Sequence, residues 1–509
     1  MTPVDLGLVG PRSGRRLDVR RVALAVVALV ATLLAGCGAP SVSNPGLQPR
    51  SATSDWRMFG YDPARSGVNP TDTRLSTSNV GQLTKLWQAR LPGVADSSPI
   101  LLHGLPFPGG ARDVLYVTTR DGRLLALDAS DGSMLWSQQP QGPKITHSSP
   151  VADLARQYVY AYGLDGALHR YNPTSGAEVK GGGWPAPITR MTQTEKQGSA
   201  LNLANGRIYV TTGGYIGDAP PYQGHVVSIE PSTGAEHVFN SLCSNLPRLL
   251  VASDCASQMS GIWSRGGAVI DPVTGDVWAD TGNGPFDANR GGYDYGDSIL
   301  RLSPDGSTLL DSFTPANYQR LADNDTDLGS SAPALLPRIS DSATPLMLVQ
   351  AGKDGILRLI NRQDMSGQGG PGHVGGELQS LDLGCGLYTQ PTVWTQSGTD
   401  RVWVFLGTSC GMRAYQFTTG ADHVSRLEEV WQNGDGATTP VIAGGVLVAA
   451  GSGAVRAYDP VTGRTLWSSD QASANGTIGP IHWESPIVVD GAVYITDENG
   501  LITCYGLPG

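Results

Sequence analysis

Three aspartates at alternate positions have the type and spacing to do chemistry: Asp323, Asp325 and Asp327. Carboxylate oxygens are ligands that Ca²⁺ prefers, and a carboxylate can act as the base that takes the proton of an alcohol. Acidic runs are also common in solvated loops, and we favour that interpretation here. The sequence contains no Cys-x-x-Cys and no two histidines at metal-binding spacing, so it gives no support to metal or redox motifs of those forms.

The N-terminus predicts export. Residues 1–21 carry five arginines and two acids, and an uncharged apolar run follows over residues 22–36. A basic stretch, a short apolar run and small residues before a cleavage point are typical of a signal peptide. The run is short for a membrane span of about 20 residues, so a retained transmembrane helix is the weaker alternative.

The residue after this run makes the signal more specific. Leu-Ala-Gly-Cys, ending at Cys37, resembles the bacterial lipobox, which implies a signal peptide of residues 1–36 and a lipid on Cys37. Residues 37–54 are small and polar and predict a flexible tether. We therefore expect an extracytoplasmic protein whose first partner is the membrane, reached through a lipid anchor.

Export makes disulfides possible for the other five cysteines. Cys243 and Cys255 flank a short loop, and Cys385 and Cys410 lie on either side of a predicted strand at 402–406. Proximity favours these two pairs, although five cysteines permit others.

The composition excludes one class of partner and predicts one class of fold. The formal net charge is −10, and removal of the arginine-rich residues 1–36 makes the chain more acidic, so we expect no nucleic-acid binding. The 67 Gly and 35 Pro residues are spread among apolar segments, which indicates short strands joined by tight turns. No long apolar period of 3.6 residues follows residue 37, so few helices are expected.

A repeat of about 50 residues organises residues 55–509 and indicates a propeller or solenoid. Within each unit a β-rich segment precedes an Asp-Gly or Asn-Gly hairpin signal and further strands, which predicts four antiparallel strands per unit. Each unit opens with small polar residues followed by aliphatic ones, at 97–101, 148–151, 197–201, 266–269, 331–335, 389–393, 438–441 and 484–487.

The two ends of the repeat region predict how the ring closes. The last unit has only three strands, and an additional strand at 83–89 precedes the first complete unit. Pairing of that strand with the last unit leaves no open edge. The sequence therefore predicts an all-β, eight-bladed β-propeller of four-stranded blades, closed by an N-terminal strand in the last blade.

Two segments carry a resemblance to a known family. Residues 126–136 and 457–467 share Ala-x-Asp, then Gly four residues after the Asp and Trp four residues after the Gly. They resemble the tryptophan-docking repeat of propellers of the pyrroloquinoline quinone (PQQ) type. The resemblance implies that a closing tryptophan packs between neighbouring blades at Trp87, Trp136, Trp431 and Trp467.

The resemblance implies two functional classes, because a fold alone does not settle function. One class is the dehydrogenases that hold PQQ beside Ca²⁺; it implies Asn283 as a calcium ligand and one of the three aspartates as the catalytic group. The other class is lipoproteins that bind partners without a cofactor. The adjacent-cysteine pair of many such dehydrogenases is absent, so we expect a binding or assembly scaffold without cofactor. The alternative is a PQQ- and calcium-dependent alcohol or sugar dehydrogenase.

Four tryptophans are candidates for contact with a quinone, and one long insertion is a candidate for partner binding. The indole ring of tryptophan is flat and could stack against the plane of a quinone, although tryptophan in a sheet usually packs in the hydrophobic core. The candidates are Trp184, Trp263, Trp394 and Trp483. Long insertions on a rigid scaffold often bind partners. We therefore expect a protein or an extracellular ligand to bind the insertion at 285–296, through Phe286, Arg290, Tyr293 and Tyr295.

Overall fold

Eight antiparallel sheets form the blades of a β-propeller in the computed structural model. The structure describes residues 55–139, 145–215, 219–451, 453–471 and 476–508, so the predicted signal peptide, Cys37 and the whole predicted tether lie outside the described residues. The predicted eight-bladed fold is confirmed.

The strands follow the chain order around the ring. Strands β1 (Val68–Asn69) and β2 (Thr84–Arg90) precede the first blade. The first four blades contain β3 (Ile100–Phe107), β4 (Gly110–Thr118), β5 (Leu124–Asp128) and β6 (Met134–Gln138); β7 (Val151–Ala152), β8 (Val159–Tyr162), β9 (Ala167–Tyr171) and β10 (Ala186–Pro187); β11 (Glu195–Gln197), β12 (Asn202–Ala204), β13 (Arg207–Gly214), β14 (His225–Ile229) and β15 (Glu236–Asn240); and β16 (Val269–Ile270), β17 (Val277–Asp280), β18 (Ile299–Leu302) and β19 (Leu309–Phe313).

The second half of the ring repeats this order. Blades five to eight contain β20 (Ala334–Leu335), β21 (Met347–Gln350), β22 (Ile356–Asn361) and β23 (Gln379–Asp382); β24 (Thr392–Thr395), β25 (Val402–Thr408), β26 (Gly411–Thr419) and β27 (Ser425–Gln432); β28 (Val441–Ala443), β29 (Val446–Gly451), β30 (Ala454–Tyr458) and β31 (Thr465–Ser468); and β32 (Ile487–Val489), β33 (Ala492–Thr496) and β34 (Leu501–Gly506).

Helical structure is scarce in the described part of the chain, as the sequence predicts. It comprises one α-helix, α1 (Tyr318–Asp323), and the 3₁₀ turns Val80–Gln82, Ala288–Arg290 and Leu328–Ser330. None of the helices described is long and apolar enough to cross a membrane.

The N-terminal strand closes the ring as predicted. Strand β2 pairs antiparallel with β34 and thereby supplies the fourth strand of the last blade. Strand β1 makes a second pairing, which the sequence did not predict. It runs parallel to β28 at the edge of blade seven. The last blade is thus completed to four strands, and blade seven gains a fifth.

The four repeat tryptophans lie between blades. The indole nitrogen of Trp136 donates to the carbonyl of Pro173 in the next blade at 2.9 Å, and Trp431 donates to Pro460 in the same way. Gly176 has a φ of +69°, and a Cβ there would lie 2.6 Å from the Trp136 ring, so the glycine of the repeat admits the neighbouring tryptophan. Trp87 and Trp467 donate to the carbonyls of Ala129 and Leu83.

Arg65 fixes the N-terminal segment to two blades. Its side chain is buried and donates hydrogen bonds to the carbonyls of Phe59, Gly266 and Leu201, at 2.6, 3.1 and 2.8 Å, and a longer one to Ala200. One guanidinium therefore satisfies carbonyls that are far apart in the sequence.

Both expected disulfides are present, Cys243–Cys255 and Cys385–Cys410. The Cys385–Cys410 bond spans 25 residues and links the connection after β23 to the β25–β26 hairpin. Because the bond restricts the unfolded chain, we expect the double replacement Cys385→Ser and Cys410→Ser to lower the free energy of unfolding by about 3 kcal/mol. Denaturant unfolding measures this, with wild-type protein under reducing conditions as the control; equal midpoints for the variant and the oxidised wild type would contradict the prediction.

Candidate functional site

A cavity of about 630 Å³ opens where the first strands of several blades converge. Its lining comes largely from the short polar segments at which the repeat units begin, together with the connections that follow β13, β17 and β21. Residues far apart in the sequence therefore meet in this cavity, among them His147, Lys196, Trp263, Arg265, Asn283, Asp325, Asp327, Lys353, His482 and Trp483.

Asp327 is the buried carboxylate of the cavity. Its Oδ2 accepts hydrogen bonds from the indole nitrogen of Trp263 at 2.9 Å and from Lys353 Nζ at 3.1 Å, and its Oδ1 accepts one from the backbone N–H of Asn283 at 3.2 Å. Burial raises the pKa of Asp327 above its ordinary value, and the attraction of Lys353 only partly opposes this. The result is a carboxylate held in one orientation beside a space large enough for a ligand.

The glycine before Asn283 makes this arrangement possible. A Cβ at Gly282 would lie 3.0 Å from the Trp263 indole nitrogen and 3.1 Å from Asp327 Oδ2. A side chain at this position would push the hydrogen-bonded pair apart, so the turn after β17 needs glycine for a close approach.

Lys353 lies between two carboxylates. Its Nζ is 2.9 Å from Asp325 Oδ1 and 3.1 Å from Asp327 Oδ2, and it lies 5.2 Å from the centre of the Trp263 ring. Although burial lowers the pKa of Lys353, the two carboxylates outweigh that effect and raise it. The lysine is therefore charged at neutral pH and fixes the position of Asp327.

Two further cationic side chains, Lys196 and Arg265, line the cavity, and neither makes an ion pair with a carboxylate among the described residues. Lys196 on β11 is buried, its Nζ is 5.4 Å from the centre of the Tyr215 ring, and burial lowers its pKa to about 8. Arg265 is buried and donates from Nη1 to the carbonyls of His147 and Gly198, while its Nε and Nη2 atoms make no hydrogen bond among the described residues. Buried donors without partners favour an anionic ligand.

A buried carboxylate orients the two histidines of the cavity. Asp96 accepts hydrogen bonds from Nδ1 of His147 at 2.6 Å and of His482 at 3.0 Å, and Arg120 donates to the same oxygen at 2.8 Å. Although burial opposes it, these hydrogen bonds hold the pKa of Asp96 well below its usual range. Burial lowers the pKa of His147 to about 4, so that ring is neutral at neutral pH.

The three aspartates of the sequence motif have different environments. Asp327 is buried in the cavity, Asp325 lies at its rim, and Asp323 is exposed at the end of α1, where it accepts a hydrogen bond from Gln319. The solvated-loop interpretation therefore describes Asp323 but not Asp327. Asn283, which the family resemblance implies as a calcium ligand, is also buried and lines the cavity.

The insertion at 285–296 does not expose all four of the side chains that we expected to bind a partner. Phe286 and Tyr295 are only 4% and 8% exposed, and Phe286 packs edge-to-face on Tyr318 with ring centres 4.9 Å apart. They are core aromatics of blade four, because large rings gain more by burial than by exposure. Arg290 and Tyr293 stay exposed, with Tyr293 at 53%, so the expected four-residue binding surface is reduced to two.

Sequence reasoning missed three of the groups that define the cavity: Lys196, Arg265 and Lys353. No local motif marks them, since only ring closure brings them together. Of the four tryptophans considered for a quinone, only Trp263 and Trp483 line the cavity, whereas Trp184 donates to the Pro231 carbonyl of the next blade.

Comparisons with known proteins identify the class, a propeller built of PQQ-like repeats. The model of the family described as "Outer membrane protein assembly factor BamB" matches residues 56–269 and 399–507. The chain belongs to this family of PQQ-like repeat propellers.

Curated relatives add a second finding. The chain is 26% identical over 290 residues to the dehydrogenase subunit of the quinone alcohol dehydrogenase of Gluconobacter oxydans, covering 49% of this chain and 36% of that protein. It is 23% identical over 347 residues to the quinohemoprotein alcohol dehydrogenase ADH IIB of Pseudomonas putida, covering 61% and 46%. The chain thus spans less than half the length of these relatives.

Solved structures agree on the fold. The crystal structure of the quinohemoprotein alcohol dehydrogenase of Comamonas testosteroni matches with a TM-score of 0.62 at 15% identity, over 90% of this chain and 81% of that one. At this identity the likeness shows the fold alone.

These relatives overturn two of our predictions. The interpretation of the chain as a binding scaffold is wrong, and so is the expectation that it uses no cofactor, because the curated relatives are named as quinone-dependent alcohol dehydrogenases. We gave the missing adjacent-cysteine pair too much weight, since a buried carboxylate beside a ligand-sized cavity does not depend on it.

The cavity fits PQQ better than it fits Ca²⁺. PQQ is flat and carries several carboxylates, and the cavity offers two indole rings, the unpartnered donors of Arg265, Lys196 and a volume typical of ligand sites. Ca²⁺ takes six to eight oxygen ligands. Of the described side chains lining the cavity, Asn283, Asp325 and Asp327 offer amide or carboxylate oxygens, and Lys353 already pairs with both carboxylates.

Proposed function

We propose that the protein is a PQQ-dependent dehydrogenase that oxidises an alcohol to a carbonyl compound. The observation that carries the proposal is the buried Asp327, held by Trp263 and Lys353 in a cavity that Lys196 and Arg265 also line. The names of the curated relatives support the same class of reaction. Because this chain covers only part of the length of these relatives, we propose the class of substrate, an alcohol, and no particular compound.

Bound PQQ would supply the acceptor for the two electrons that an alcohol loses. Asp327 would accept the hydroxyl proton, because its raised pKa makes it a stronger base than an exposed aspartate. Trp263 and the N–H of Asn283 hold both carboxylate oxygens in place, and the charge of Lys353 favours the ionised form of Asp327 by opposing the rise in its pKa. Lys196 and Arg265 would bind carboxylates of the cofactor by charge-assisted hydrogen bonds.

The location proposed is extracytoplasmic. The family description names an outer membrane protein assembly factor, and two disulfides agree with an oxidising compartment. Anchoring through a lipid on Cys37, and ligand binding by exposed blade loops at Arg290 and Tyr293, stay predictions.

Quinone retention tests the proposal. We expect purified protein mixed with PQQ and Ca²⁺ to retain about one quinone per chain through gel filtration and then to reduce a dye when a simple alcohol is added. Heat-denatured protein and an assay without alcohol are the controls. Failure to retain quinone, or retention without alcohol-dependent dye reduction, would overturn the proposed function.

A further inference from the structure

We propose that the cavity binds PQQ without calcium, because the ammonium group of Lys353 takes the position that a divalent cation would need between two carboxylates. The inference rests on the proposed function and deepens it: it states which charges of this chain replace the metal. Its ligand chemistry is a flat, polycarboxylated quinone held by three cationic side chains.

The first support is the geometry of Lys353. Its Nζ lies within 3.1 Å of both Asp325 Oδ1 and Asp327 Oδ2. A divalent cation bridging these carboxylates would approach their oxygens to 2.3–2.6 Å and would have to displace the ammonium. The ammonium nitrogen also lies over the face of Trp263, 5.2 Å from the ring centre, and this cation–π contact helps to hold the charge in place.

The second support is the supply of oxygen ligands. In the part of the chain that the structure describes, the grouping of three or more His, Cys, Asp or Glu donors near enough to share one ion is Asp96, His482 and Glu498. That grouping does not include Asp327, and Arg120 already bridges Asp96 and Glu498 at 2.8 and 2.7 Å. Neither the Asp325–Asp327 pair nor the Asp96–Glu498 grouping offers a full set of hard oxygen ligands, and in both a lysine or arginine already pairs with the carboxylates.

The third support is the positive charge of Lys196 and Arg265, which also line the cavity. Lys196 has no carboxylate within ion-pair distance among the described residues, and Arg265 keeps two buried N–H donors unpaired. Carboxylates of the quinone would satisfy both groups at once. Three cationic side chains that line the cavity would thus provide the positive charge that a bound metal would otherwise supply.

Equilibrium dialysis with PQQ tests the inference without relying on turnover. Protein is dialysed against EDTA, and quinone binding is measured by absorbance in EDTA and again with millimolar CaCl₂. We expect the two dissociation constants to agree within about twofold. Binding that requires Ca²⁺ would overturn this inference and leave the proposed function standing, whereas no binding in either buffer would overturn both.

Two variants locate the charges responsible. Lys196→Met is expected to weaken PQQ binding about tenfold or more in both buffers, since a charge-assisted hydrogen bond is lost. Lys353→Ala frees Asp325 and Asp327, so we expect weak binding in EDTA and partial recovery with Ca²⁺. Lys180→Ala is the matched control, because Lys180 is exposed and pairs only with Glu178 among the described residues.

The PQQ affinities of these variants can also contradict the inference. Thermal unfolding of each variant first shows that the protein is folded. Wild-type affinity of folded Lys353→Ala in EDTA would contradict the role of Lys353, and wild-type affinity of Lys196→Met would contradict the role of Lys196.

Discussion

Replacement of Asp327 by Asn is expected to lower kcat for alcohol oxidation by about 100- to 10,000-fold, the range that a positioned general base contributes. Asparagine has the same shape, and its carbonyl oxygen can still accept the hydrogen bonds of Trp263 and Lys353 at the position of Oδ2. Its NH₂ group takes the position of Oδ1 and loses the bond from the backbone N–H of Asn283, and the side chain cannot take a proton. The effect should therefore fall on kcat, with the fold and the cavity preserved.

Three measurements separate this role from a structural one. Dye reduction gives kcat and KM, equilibrium dialysis gives PQQ affinity, and circular dichroism reports folding. We expect PQQ affinity to be retained in Asp327→Asn, because Lys196, Arg265 and Lys353 keep their charges.

The chain provides a matched control within the same short segment. Asp323→Asn removes an exposed carboxylate whose described partner is Gln319, so it should keep wild-type kcat. Similar activity of Asp327→Asn and the wild type would show that Asp327 is not the base.

Arg65→Met is expected to lower the free energy of unfolding by about 4 kcal/mol. Methionine fills much of the space of the arginine stem, but the carbonyls of Phe59, Gly266, Leu201 and Ala200 lose their shared donor. A buried polar group left without a partner costs about 1–3 kcal/mol, and partial relaxation reduces the sum.

Chemical denaturation followed by tryptophan fluorescence measures this change. Arg74→Met in the same N-terminal segment is the control, because the Arg74 side chain is exposed, and surface substitutions usually change stability by less than about 0.5 kcal/mol. If both variants unfold at the same denaturant concentration, Arg65 does not anchor the segment as argued.

The sequence by itself determined the architecture of this protein. The repeat of about 50 residues fixed the number of blades, and the surplus strand before the first unit predicted the pairing of β2 with β34. Local spacing also predicted the two disulfides. These features follow from turn propensity, strand alternation and short chain distances, all of which are readable along a few dozen residues.

Only the tertiary structure decided which residues form the cavity. Lys196, Asp327 and Trp483 are separated by more than a hundred residues from one another along the chain, yet they line one space. The sequence could not distinguish Asp323 from Asp327, since both are aspartates in one acidic run. The physical reason is that burial, ion pairing and unsatisfied donors arise only once the ring has closed, whereas the strand pattern exists before it closes.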